Sequence, residues 1–157
     1  NRQSIRLEDL KGESTMANYT CAIRTNYFRV KDADKFKAFM STVYSTKAAI
    51  KVFESLDKDG VTRYGFGCCG QIRGVFPINE DGIFSEYAAF IEGLQELVAE
   101  DDAIIIFETG SDGLRYFTGT ADVITTNGHK YLRIEDWATK VAAKMLHNPK
   151  FITRIDY

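Results

Sequence analysis

Gly65-Phe-Gly67-Cys-Cys-Gly70 spells G-x-G-x-x-G directly after a segment that reads as a strand. In a dinucleotide-binding fold such glycines bring a helix N-terminus against a pyrophosphate. A helix would have to follow, yet Gly74 and Pro77 arrive almost at once, and the chain before the motif reads as an antiparallel hairpin. No His-Arg-Asp or Asp-Phe-Gly sequence accompanies it, which excludes a kinase-type glycine loop. Two readings stay open. Either Gly65, Gly67, Gly70 and Arg73 form a small-ligand or nucleotide loop over residues 65–74, or the glycines let a neighbouring backbone come close within a strand.

Cys68 or Cys69 could act as a nucleophile with His129 or His147 as base. His129 falls in a predicted Asn127-Gly128 turn, however, and His147 at a helix end beside Asn148-Pro149, which favours structural thiols. Zinc-module spacing is absent apart from the adjacent Cys68-Cys69 pair. Glu100, Asp101 and Asp102 could hold a hard cation, but no glycine-punctuated calcium loop surrounds them. The expectation is no metal, no cofactor and no catalytic residue, so enzyme activity is disfavoured.

Charge position is more informative than net charge. The chain has 157 residues and a formal charge of −2, which excludes a uniformly basic nucleic-acid binder. Residues 74–114 contain no Lys or Arg and ten acids, a −10 segment inside a +8 remainder. Glu92, Glu96 and Glu100 fall at i, i+4 and i+8 of a predicted helix, one outer stripe. Like charges at that spacing cost about 0.2–0.5 kcal/mol per pair. Glu100, Asp101 and Asp102 crowd a helix C-terminus, where the macrodipole favours cations. A stripe kept against local stability predicts complementarity to a basic protein surface, such as the nucleic-acid channel of another protein. The competing reading is an ordinary solvated face. Base stacking by Tyr19, Tyr27 and Phe28 beside Arg24 and Arg29 is also conceivable, but strand aromatics more often fill a core, so direct nucleic-acid binding is disfavoured.

The elements that must carry these residues follow from periodicity. Residues 19–30 read as a long strand. Asp32 caps a helix with Phe36, Phe39, Met40 and Val43 on one face. Strands at 50–55 and 61–66 flank the turn Asp57-Lys-Asp-Gly60. A loop at 79–82 and a Ser85 cap precede a helix with Tyr87, Phe90, Ile91, Leu94, Leu97 and Val98 inward. Residues 103–107 read as a central strand buried on both faces. A hairpin through Asn127-Gly128 leads to a helix capped by Asp136, with Trp137, Val141 and Met145 inward, and residues 151–157 add a last strand. The order β-α-β-β-α-β-β-β-α predicts an α+β fold: an antiparallel sheet with helices on one face, a ferredoxin-like βαββαβ core, and a C-terminal β-hairpin and helix.

No apolar run has the roughly 18–20 residues needed to span a bilayer. Three cysteines, two of them adjacent, predict a reduced, cytoplasmic protein. Residues 1–15 are polar and precede Met16, which predicts a leader, tag or alternatively translated arm before a single domain at 16–157; a native arm docked on the domain is the alternative.

The stretch MANYTCAIRTNYFRVKDADKF from Met16, with GLQELVAEDDAIIIFETGSDGLRYFTGTADVIT from Gly93, resembles a family of small uncharacterised proteins carried by mobile genetic elements of low-GC Gram-positive bacteria. The resemblance implies a setting rather than a reaction. Accessory genes of such elements often disarm host defence, including restriction and CRISPR systems, so an anti-defence (anti-CRISPR) inhibitor is expected.

Overall fold

A computed structural model describes residues 18–75 and 87–154. The expected leader, the 79–82 loop and the Ser85 cap lie outside the described residues. The chain runs β1 (Thr20–Thr25), α1 (Ala33–Met40), β2 (Val43–Ser45), β3 (Lys51–Leu56), β4 (Thr62–Cys69), β5 (Ile72–Val75), α2 (Tyr87–Leu97), β6 (Ile104–Asp112), β7 (Tyr116–Thr125), β8 (Gly128–Arg133) and α3 (Ile134–Met145). One sheet has the order β3-β4-β1-β6-β7-β8, with every neighbouring pair antiparallel. β2 and β5 form a separate two-stranded sheet. The α+β class and the antiparallel sheet expected from the sequence are present.

Alternation along the strands makes one face of the large sheet apolar. Ile23, Tyr64, Phe66, Ile104, Ile106 and Ile124 point into a core that α1 fills with Phe36 and Met40 and α2 with Phe90, Ile91, Leu94 and the following Val98. The predicted faces of α1 and α2 are therefore the buried ones, apart from Val43. The Asp32 side chain accepts a hydrogen bond from Lys35 N at 3.0 Å and starts α1 as expected. In the β3–β4 turn, Asp57 Oδ1 accepts from Asp59 N and Val61 N, while Gly60 takes φ +76°.

Several expectations are corrected. Strand β1 stops at Thr25, and the chain beyond it makes only isolated bridges, Phe28 to Tyr64 and Val30 to Val98. Helix α1 stops at Met40 because the Ser41 and Thr42 hydroxyls bond back to Ala38 O and Phe39 O, releasing Val43 into β2. The short strands β2 and β5 have no alternation long enough to read. Residues 103–107 do begin a central strand, but β6 runs on to Asp112, and Phe107 is 48% exposed because only one sheet face is covered. The β7–β8 hairpin forms with Thr125 paired to Gly128, so its loop is Thr126-Asn127. Helix α3 starts directly after Arg133 without a side-chain cap, and its Trp137, Val141 and Met145 face outward. Residues 151–154 are not a strand.

Candidate functional site

The acidic residues separate into two groups. Helix α2 ends at Leu97, so Glu92 and Glu96 lie on it while Glu100 sits in the turn that follows. All three are exposed, and none has an ion pair among the described residues. Asp101 and Asp102 are engaged instead. Arg29 Nη2 lies 2.7 Å from Asp101 Oδ1, and Asp102 Oδ2 accepts from Arg29 N at 2.8 Å with the Arg63 guanidinium 3.6 Å away. The hydrogen bond from Arg29 holds the Asp101 carboxyl below the usual carboxylate range. The cations that the helix C-terminus calls for thus arrive from the chain after β1 and from β4. Two backbone bonds, Lys31 N to Leu97 O and Ala99 N to Arg29 O, stitch the same corner.

The glycines of the G-x-G-x-x-G motif answer to neighbouring backbone. Gly65 and Gly67 lie within β4, between β3 and β1. A Cβ on Gly67 would sit 2.6 Å from Ile23 O, and one on Gly65 3.2 Å from Asn26 O. Gly70 has φ +106°, which a side chain rarely adopts. Strand β5 follows the motif, so the helix N-terminus of a dinucleotide site is not there. Arg73 lies on β5, exposed and without an ion pair among the described residues.

The thiols and imidazoles are kept apart. Cys68 on β4 and His129 on β8 have β1, β6 and β7 between them, which at the usual spacing is about 19 Å. Burial pushes the Cys21 and Cys68 thiols up from their ordinary values, against nucleophilic use. Among the described residues no cluster of His, Cys, Asp or Glu is suited to a metal ion.

One constellation has no signal in the sequence. The buried Asp122 carboxylate on β7 accepts from Tyr87 Oη at 2.9 Å, and its other oxygen lies 2.6 Å from His129 Nε2. The three residues come from α2, β7 and β8, so only the β7–β8 register hints at the Asp122–His129 half. Beside them, Arg73, Glu108, Tyr87, Asp122 and Tyr131 help to line a cavity of about 250 Å³. Burial first, then the facing Asp122 charge, pushes the Tyr87 phenol well above its ordinary value. A folded-state pKa raised above the unfolded one gives stability that is complete below about pH 10 and falls as alkali ionises the unfolded chain. Thermal midpoints measured from pH 8 to pH 11 should therefore drop less steeply for Tyr87→Phe than for the parent protein. At neutral pH the same variant should lose about 1–3 kcal/mol, the cost of a hydrogen bond to a charged group. An unchanged alkaline slope would contradict the role given to Asp122.

Comparison with protein-family models, curated proteins and solved structures returns no match. No helix among the described residues is long and apolar enough to cross a membrane.

Proposed function

We propose that the protein is a non-enzymatic interaction protein whose acidic edge masks a basic, nucleic-acid-binding surface of its target. The observation that carries this reading is the open row Glu92, Glu96 and Glu100 beside an Asp101-Asp102 pair already balanced by Arg29 and Arg63. Unbalanced carboxylates on a rigid corner gain more from an incoming cationic surface than from water alone. The resemblance to mobile-element proteins favours a cytoplasmic defence effector, of the CRISPR or restriction kind, as that target. The architecture fits this setting as a scaffold: the order β6-β1-β4-β3, with β1 and β3 codirectional across β4, supports a ferredoxin-like reading of the first six expected elements.

The test combines charge reversal with competition. A target captured from a host lysate should be released by salt and by the nucleic acid it handles. Replacing Glu92, Glu96 and Glu100 together by Lys should weaken capture by about tenfold or more at low salt, because exposed charges act within a screening length of about 10 Å. Unchanged capture by the triple variant, with its circular dichroism intact, would end the proposal.

A second reading is favoured by the cavity rather than by the glycines. Arg73 at its rim and Glu108 and Asp122 within it suit a small ligand carrying both an anionic and a cationic group. Ligand-induced thermal stabilisation that disappears in Arg73→Ala would support it, and no stabilisation by nucleotides or amino acids would set it aside.

A further inference from the structure

Helix α3 is strongly amphipathic in sequence, yet it buries no residue of its own in the domain. Ile134 (64% exposed), Trp137 (69%), Val141 (43%) and Met145 (77%) form one outward stripe. These positions recur at i, i+3, i+7 and i+11, one side of a 3.6-residue helix. A helix with its apolar stripe in water lacks the burial that normally stabilises it, and patches of this kind mark association surfaces. The charges along α3 say what fits there. Asp136 stands in the first turn, Lys144 in the last and Lys140 between them, on one flank of the stripe; none is ion-paired among the described residues.

We propose that α3 is a homodimer interface in which two copies of the helix pack antiparallel about a two-fold axis near its middle. In that arrangement Ile134 of one helix meets Met145 of the other, and the Trp137 ring reaches the partner's Ala142. Asp136 of each copy lies beside Lys144 of the opposite copy, on the flank that a two-fold axis brings together. The two helix dipoles also run opposed, so each positive end lies near a negative one. A parallel pair would put like charges at both ends, which gives the antiparallel pair its preference. This surface is separate from the acidic edge on α2 and does not depend on it.

Trp137 is the chain's sole tryptophan, so its emission reports the interface directly. With the full chain, light scattering across about 1 to 500 µM should show the mass rise from one copy to two, with Trp137 emission shifting to the blue in parallel. Val141→Asp, close to the axis and so felt twice, should weaken association by about a hundredfold or more and leave red-shifted emission. Asp136→Lys and Lys144→Asp should each weaken it by about threefold or more, and the double variant should restore it, a rescue that loss of folding could not produce. A single-copy mass at every concentration overturns the proposal. So does blue emission independent of concentration that turns red when residues 1–17 are deleted, because the chain's own N-terminal segment would then be the cover.

Discussion

Phe90→Ala is expected to lower the free energy of unfolding by about 3–5 kcal/mol, close to the limit a small domain tolerates. Phe90 is completely buried on α2 and joins three elements through ring contacts: Phe39 stacked at 6.2 Å, Phe66 edge-on at 6.0 Å and Tyr87 at 5.6 Å. Truncation leaves a cavity between α1, α2 and the sheet that rigid strands cannot close. Urea denaturation of both proteins measures the difference, and a loss below about 1 kcal/mol would mean that α2 is not seated where described. Because α2 also carries Glu92 and Glu96, the same variant should present the acidic row less well near its unfolding midpoint.

Gly67→Ala is the second large effect, expected at about 1–3 kcal/mol because a single methyl must displace backbone. Its Cβ would meet Ile23 O at 2.6 Å, and neither β1 nor β4 can yield without disturbing the Ala22–Cys69, Ile23–Cys68 and Arg24–Gly67 pairing. A nucleotide loop predicts a different outcome, in which ligand affinity falls while the apo protein keeps its stability. A thermal midpoint of Gly67→Ala equal to that of the parent would therefore reopen the phosphate-loop reading.

Local chemistry made much of the fold legible. The apolar spacing of Phe36 and Met40, and of Phe90, Ile91 and Leu94, marks the faces that are buried, and Asp57 to Gly60 marks the turn that forms. What stayed hidden depends on partners distant in the chain. Asp101 and Asp102 read as unrelieved charge because Arg29 lies more than seventy residues away in sequence. Tyr87 read as a core aromatic, since nothing near it announces the Asp122 carboxylate thirty-five residues on. The outward stripe of α3 carries the same amphipathic pattern as a buried one, for periodicity states that a helix has an apolar side and not what covers it. Of the candidate site, Glu92 and Glu96 were placed correctly on an outer helix face. Glu100 was placed one turn too far along a helix that ends at Leu97.

The corner where α2 ends has a consequence for how a partner would be held. Arg29 clamps Asp101 and Asp102, and the backbone bonds Lys31 to Leu97 and Ala99 to Arg29 close the same junction. Glu96 and Glu100 therefore project from a joint whose backbone is already fixed. Ordering a loop on association costs free energy for each residue immobilised, and here that ordering is complete before any encounter. The internal ion pair that removes two carboxylates from the acidic edge thus preorganises the remainder, trading charge for a defined shape that only a matching surface can meet.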